Sequence, residues 1–115
     1  MKKVIVLLNR KAGMTREEFR SYYEGHHVPL ATSLMKNCKK YVRNYARDDE
    51  DRDVRFPLSS HDCVSEFVFD IDEPWRGGDQ VFEASGLAAL GEDEKRFIDV
   101  DSVQVLIVDE YQTNF

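Results

Sequence analysis

Apolar residues gather in four short stretches of this chain, each with the length of a β-strand and each bounded by polar or turn-forming residues. The predicted strands cover Lys3–Asn9, Lys39–Arg47, Cys63–Asp70 and Ser102–Tyr111. The first and the last strand are apolar on both faces; in the first, Val4 points to one side while Ile5 and Leu7 point to the other. A strand of this kind belongs at the centre of a sheet that is covered on both sides.

A helical pattern follows the first strand, over about Thr15–Gly25. Its first residue suits the N-cap position, and Glu18 three residues later completes a capping box. Ring-bearing side chains then recur every three or four residues and share one broad face, at Phe19, Tyr22, Tyr23, His26 and His27. Because Pro29 disfavours a helical backbone at the residue before it, we expect a bend there, with His27 at the break and a second helix over Pro29–Lys36.

The second half of the chain carries a charged stretch and then a further helical region. Asp48–Asp62 interleaves acids with arginines, a pattern typical of a solvated loop. Asp79 is expected to cap a short helix that ends near Gly86. A longer helix is predicted over Leu87–Phe97, and its buried side consists of Leu87, Leu90 and Phe97.

The predicted elements follow the order β-α-β-β-α-β. This order indicates an α+β fold of the ferredoxin-like type, a four-stranded antiparallel sheet with helices on one face. We expect residues 1–115 to form a single domain. The helices can cover only one face of the sheet, although its first and last strands are apolar on both. An exposed apolar face of that size is unusual in a monomer, so we expect a second copy of the chain to cover it in a homodimer.

Composition and charge argue against several classes of protein. The chain has 115 residues and a net charge of -6, which argues against nucleic acid as a partner because phosphate binding requires a basic face. No apolar run approaches the roughly 20 residues that span a bilayer, and the apolar core Val4–Leu8 is too short for a signal peptide. We therefore expect a cytoplasmic protein with no membrane partner. Cys38 and Cys63 are expected to be unpaired thiols at opposite ends of a hairpin.

Several short segments of the chain form a recognisable series. They are Arg10–Phe19, His27–Leu30, Tyr41–Asn44, Asp62–Glu66, Asp93–Asp99 and Glu110. In this order and spacing they resemble the EthD family of dimeric α/β-barrel proteins across nearly the whole chain. The resemblance implies the ferredoxin-like fold and a pocket between sheet and helices in each protomer. Tyr23 stands where many family members carry tryptophan, and its large ring is expected to form a wall of that pocket.

His27 is the chain's best candidate for chemistry. At the start of a second helix its imidazole would feel the positive helix end, which disfavours the charged form, and a neutral imidazole can act as a general base. The alternative is that His27 only caps backbone amides and holds the bend. Neighbouring side chains that could hold a substrate or donate a hydrogen bond to it are Tyr22, Tyr23 and Tyr41. His26 is a further candidate for substrate binding, and the alternative is that it packs or lies at the surface, because adjacent helical side chains point about 100° apart.

Glu66 is a further candidate because it lies in mid-strand among apolar neighbours, where a buried carboxylate needs a partner. It either anchors substrate or forms an ion pair with Arg43 on the neighbouring strand or with the dimer mate. His26 and His27 are adjacent and lack the i, i+4 spacing of a helical zinc site, so we expect no metal.

The resemblance extends to a broad group of polyketide cyclases and dehydratases, lactone isomerases and cofactor-free monooxygenases, although a fold does not determine a reaction. The leading hypothesis is a small enzyme without a cofactor that removes a proton next to a carbonyl of a hydrophobic, aromatic or polyketide-like molecule, with His27 as the base. The alternative is a non-catalytic carrier or accessory protein for such a ligand. A third hypothesis is that the apolar sheet face recruits a protein partner and that Tyr22, Tyr23 and Leu34 close the pocket.

Overall fold

The four strands predicted from the apolar pattern are present and form one sheet. The computed structural model describes residues 1–47 and 55–115. Its strands are β1 (Lys2–Leu8), β2 (Cys38–Tyr45), β3 (Cys63–Phe69) and β4 (Gln104–Val108). All neighbouring strands run antiparallel, in the order β2-β3-β1-β4. The α-helices within the described residues are α1 (Arg16–Tyr22), α2 (Val28–Leu34) and α3 (Leu87–Glu94). This confirms the ferredoxin-like α+β fold, although β4 is shorter at both ends than predicted.

Helix α1 begins where the capping box predicts. The Thr15 hydroxyl accepts a hydrogen bond from the Glu18 backbone N–H at 3.0 Å, and the Glu18 carboxylate accepts one from the Thr15 N–H at 2.9 Å. These two contacts satisfy backbone donors that the first helical turn leaves without partners.

The predicted break at His27 is wrong, because the chain stays helical from α1 into α2. A π-helical turn, Tyr23–His27, joins the two helices, and the Val28 N–H donates to the carbonyl of Tyr23 five residues back. Val28 itself has helical angles, φ -59° and ψ -47°. A proline inside a helix has no N–H to donate, and its ring presses on the preceding turn. We attribute the wider π turn before Pro29 to the room that this ring needs.

The helices cover one face of the sheet and form the core there. The strands contribute Val4, Leu8, Cys63 and Phe69, and the helical side contributes Phe19, Tyr23, Ala31, Leu90 and Phe97, all buried. The register places the alternate residues on the opposite face, here called the open sheet face: Ile5, Leu7, Val42, Val64, Val68, Leu106 and Val108. No described helix packs on these residues, and Leu106 is 52% exposed. The apolar second face inferred from the strand pattern is therefore real.

Two predictions about the second half of the chain need correction. The short helix expected from Asp79 to near Gly86 is replaced by two 3₁₀ turns, Gly78–Gln80 and Ala84–Gly86. In the first turn the buried Gln80 side chain accepts from the Arg76 N–H and donates to the Pro74 carbonyl of the preceding loop. Leu87 is 36% exposed and not buried.

The charged stretch predicted as a solvated loop lies partly outside the described residues, at 48–54. Residues 55–60 are exposed, but Asp62 is buried. Its carboxylate accepts hydrogen bonds from the Arg10 backbone N–H at 2.8 Å and from the Arg16 Nε at 2.9 Å. Asp62 thus ties the stretch to the start of α1.

None of the described helices is long and apolar enough to cross a membrane. Cys38 and Cys63 are unpaired, and the β2–β3 register places them at opposite ends of that strand pair, as expected.

Candidate functional site

A cavity of about 300 Å³ lies between the sheet and the helices. Three of the residues predicted to form the site line it: Tyr23, His27 and Tyr41. Most of the remaining lining is apolar, which is typical of a small-molecule site. A cavity of this size counts against the hypothesis that Tyr22, Tyr23 and Leu34 close the pocket.

His27 is held by an acid from another helix. Its Nδ1 lies 2.8 Å from Oδ2 of Asp93 on α3. A carboxylate can only accept, so the shared hydrogen belongs to Nδ1 and Nε2 is left as the basic nitrogen. Burial lowers the pKa of His27 below its ordinary value of 6.5, although the hydrogen bond that His27 donates to Asp93 opposes this shift. The buried imidazole is therefore neutral at neutral pH and able to accept a proton.

The neutral state of His27 has a different cause from the one predicted. The sequence pattern attributed it to the positive end of a new helix. Because the backbone stays helical through the π turn, no helix begins at His27, and burial is the main cause. The π turn also brings His27 against Tyr23 and Phe97, with ring centroids 5.7 Å and 4.9 Å away.

Asp93 also contacts two further residues of the predicted site. The Tyr22 hydroxyl donates to its Oδ1 at 2.6 Å, and the His26 Nδ1 lies 3.0 Å from the same oxygen. Burial alone would raise the pKa of Asp93, but the hydrogen bonds from Tyr22 and His27 outweigh it and hold that pKa below its ordinary value. Tyr22 and His26 therefore lie against Asp93. They do not line the cavity, so they do not reach a ligand bound there.

Three hydroxyls form a chain at the cavity wall. The Tyr23 hydroxyl lies 2.7 Å from the Tyr41 hydroxyl and 2.8 Å from the Ser65 Oγ. Burial raises the pKa of Tyr23 to about 12 and also raises that of Tyr41, so both phenols stay protonated. When Ser65 donates to Tyr23 and Tyr23 donates to Tyr41, the Tyr41 hydroxyl hydrogen is left to be donated to a ligand in the cavity.

One wall of the cavity is a series of stacked rings. Tyr41 stacks on Phe67 with ring centroids 4.4 Å apart, and Phe67 stacks on Phe69 at 5.5 Å. Trp75 continues the series, 5.9 Å from Phe69. All four side chains line the cavity. Flat apolar walls of this kind suit a planar ligand, because aromatic rings prefer stacked or edge-on neighbours.

Glu66 lies apart from this cavity, on the other side of the sheet. Its carboxylate is 3.1 Å from the Lys3 Nζ and accepts a hydrogen bond from the Asn44 side chain at 2.8 Å. These two contacts hold the pKa of Glu66 below its ordinary value. The alternative ion pair with Arg43 does not form, because the Arg43 guanidinium faces the helices and binds Glu24 at 2.6 Å.

Sequence reasoning missed Asp93 and its neighbour Glu94, which also lines the cavity. A usable pattern was present, because the two acids lie three and four residues after Leu90 and so fall on the apolar face of α3. Acids on the buried face of a helix need a partner or a function.

A second hollow, of about 450 Å³, lies beside Arg16, Tyr45 and Asp62 and ends at Arg47, where the described residues stop. It lacks the apolar walls of the first, and its buried carboxylate already binds Arg10 and Arg16. Within residues 1–47 and 55–115, no group of His, Cys, Asp or Glu side chains has an arrangement that could hold a metal ion. The absence of a metal stays a prediction.

The His27–Asp93 pair can be tested in the isolated protein. Nitrogen NMR is expected to show hydrogen on Nδ1 and none on Nε2 at neutral pH, with a pKa below 6.5 because of burial. Asp93→Asn removes a negative charge that favours the imidazolium, so the pKa of His27 should fall further. A hydrogen on Nε2, or a higher pKa in Asp93→Asn, would contradict the pairing.

The lowered pKa of His27 makes the stability of the folded protein depend on pH. Since the unfolded chain binds a proton at His27 at a higher pH than the folded chain does, the contribution of His27 to stability falls as the pH drops from 6.5 through the folded pKa.

Comparison with known proteins agrees with the fold. The model of the EthD domain family matches residues 11–101. An EthD family protein of Bacillus halodurans is similar in structure, with a TM-score of 0.62 and 15% identity over 96% of this chain and 100% of that one. The Arabidopsis thaliana protein At3g17210 is similar with a TM-score of 0.54 and 15% identity over the full length of both chains. No curated protein matches the sequence significantly. Because the family model spans most of the sequence, this chain belongs to the EthD domain family.

Proposed function

We propose that the protein is an enzyme that moves a proton on a hydrophobic, aromatic or polyketide-like molecule held in the cavity, using only its own side chains. The observation that carries this proposal is a neutral imidazole, oriented by a buried carboxylate, at the wall of an apolar cavity. An imidazole with one nitrogen fixed by a carboxylate and the other basic is a recurring arrangement for general bases.

In this proposal the first step is removal of a proton next to a carbonyl. The His27 Nε2 accepts the proton, and Asp93 stabilises the imidazolium that forms. The remaining hydroxyl hydrogen of the Tyr23–Tyr41–Ser65 chain is donated to the carbonyl oxygen, where negative charge develops. The resulting enol or enolate is a common starting point for isomerisation, dehydration, cyclisation and oxygenation.

The second candidate function is a ligand carrier without turnover. The stacked wall of Tyr41, Phe67, Phe69 and Trp75 favours binding of a planar molecule whether or not a reaction follows. A carrier needs no base, so the two functions differ in whether the protein speeds proton transfer on what it binds.

The test is exchange of carbon-bound hydrogen in heavy water, followed by proton NMR. The probe is β-tetralone, a small neutral aromatic ketone with acidic hydrogens next to its carbonyl. An enzyme of the proposed kind should speed loss of these hydrogen signals well beyond the rate in buffer. Binding of β-tetralone without faster exchange would favour the carrier.

We also propose that two copies pair through the open sheet face, in a cytoplasmic homodimer. The apolar row on that face supports this pairing, and so do the charges around it, because Lys3 and Glu66 allow two identical surfaces to complement each other about a two-fold axis. The two unpaired thiols support a reducing compartment.

Leu106→Lys tests the dimer. Moving a charge into an apolar interface and losing a buried leucine should weaken association about tenfold or more, since burying such a side chain is worth about 1.5–3 kcal/mol. Sedimentation across a range of concentrations measures the effect. Val100→Lys is the matched control, because Val100 is exposed and lies outside the sheet. A wild-type chain that stays monomeric at high concentration would rule out the dimer.

A further inference from the structure

We infer that Glu94 is a second catalytic group in the same cavity, and that the site takes a neutral carbonyl compound and rejects an anion. This inference rests on the proposed proton transfer and adds the group that protonates the substrate oxygen, beside the hydroxyl that hydrogen-bonds to it, together with the class of substrate.

The position of Glu94 separates it from its neighbour. It is the last residue of α3 and lines the cavity together with His27, whereas Asp93 points its carboxylate to His27, Tyr22 and His26. Among the residues that the structure describes, no side chain or backbone group is hydrogen-bonded or ion-paired to the Glu94 carboxyl. A half-buried carboxyl without a protein partner is costly to keep unless a ligand supplies the partner or the group is protonated.

The surroundings of Glu94 favour the protonated form. Burial raises the pKa of the carboxyl above its ordinary value, and the negative charge of Asp93 raises it further. A protonated carboxyl donates through its O–H, as a general acid must. The environments of the two neighbouring acids of α3 therefore shift their pKa values in opposite directions: hydrogen bonds lower that of Asp93, and burial raises that of Glu94.

The charge of the cavity indicates the substrate class. No lysine or arginine is among the described residues that line it, and its only carboxyl is that of Glu94. An anionic ligand would lose its hydration without gaining a cation. A neutral ketone avoids this cost and can accept the Glu94 hydrogen at its oxygen.

The two groups together complete a balanced enolisation. The His27 Nε2 takes the proton from the carbon next to the carbonyl, and the C–H electron pair forms the new C=C bond. The C=O π electrons move to oxygen, which takes the proton of Glu94. In the reverse direction Glu94 recovers its proton from the enol, and the imidazolium returns one to carbon, at the original position or at the far end of a conjugated system.

Glu94→Gln tests the acid role, with Glu92→Gln as the matched control. Glu92 lies on the same helix but is exposed and pairs only with Lys95 among the described residues. An amide cannot transfer a proton, so exchange of β-tetralone should fall about 10²-fold in Glu94→Gln through kcat, while KM changes little. Glu92→Gln should exchange at the wild-type rate.

Ligand charge is tested with two probes of one shape, β-naphthyl methyl ketone and β-naphthoate. The wild-type protein should bind the ketone at least about tenfold more tightly. Glu94→Gln should keep this difference, because an uncharged amide in place of a protonated carboxyl leaves the cavity without a cation. Equal or tighter binding of β-naphthoate by the wild type would overturn the assignment of substrate class.

The possible outcomes distinguish the role of Glu94 from the proposed function. If Glu94→Gln keeps the wild-type exchange rate while loss of His27 abolishes exchange, the role of Glu94 is overturned and the proposed function stands. If the wild type does not speed exchange, both fall. Carbon NMR of the labelled Glu94 carboxyl in the wild type provides a measurement that needs no variant, and a pKa at or below 4.5 would also overturn the acid role.

Discussion

Replacing His27 with glutamine is expected to lower the rate of β-tetralone exchange by about 10²–10⁴-fold. His27 lines the cavity, and because its Nδ1 is bonded to Asp93, Nε2 is the nitrogen left to accept a proton, which an amide of similar size cannot do. Because the loss falls on the proton transfer itself, kcat should drop while binding of the ketone changes far less. Proton NMR in heavy water measures the rate, and circular dichroism verifies the fold.

The matched control for this prediction is His61→Gln. His61 lies outside the cavity and is hydrogen-bonded to Ser59. Its exchange rate should equal that of the wild type. An unchanged rate in His27→Gln would remove the imidazole from the mechanism. Equal losses in both variants would point to general damage to the protein and not to a lost base.

Phe97→Ala should destabilise the fold by about 3–5 kcal/mol, the cost of emptying a phenylalanine site in a well-packed core. Phe97 is 0% exposed, and its ring centroid lies 5.2 Å from that of Tyr23 and 4.9 Å from that of His27. A loss of this size is a large share of the roughly 5–15 kcal/mol that holds a domain folded. The same ring supports His27, so the variant should also exchange more slowly.

Urea unfolding at one fixed protein concentration measures this effect, since association of copies would otherwise shift the midpoint. Val100→Ala is the control, because Val100 is 44% exposed and should change stability by about 0.5 kcal/mol or less. A loss below about 1 kcal/mol for Phe97→Ala would mean that the core around the site collapses into the gap.

Local patterns in the sequence predicted the strands and their faces. Strand β1 reads apolar at every position from Val4 to Leu8, and the structure places it inside the sheet, paired with β3 and β4. The capping box at Thr15 and Glu18 predicted the start of α1 correctly. Both predictions depend on residues a few positions apart, where side-chain direction follows from the backbone period alone.

The helix break predicted from Pro29 does not form, because packing of the neighbouring rings favours a continuous helix. Pro29 favours a break, but the π turn keeps Tyr23 and His27 in the core against Phe97 while making room for the ring. The preference before a proline is a local steric cost, which burial of large rings can exceed.

The sequence by itself determined the α+β topology, the apolar open sheet face, and a row of rings that ends in His27. Only the tertiary structure decided which acid meets that imidazole, because Asp93 lies 66 positions away along the chain. It also decided that Glu94 turns to the cavity while Glu66 lies across the sheet. Periodicity assigns a side chain to a face of its own helix or strand. Its partner across the core depends on how whole helices and strands pack, and that packing is set by the total burial of many residues.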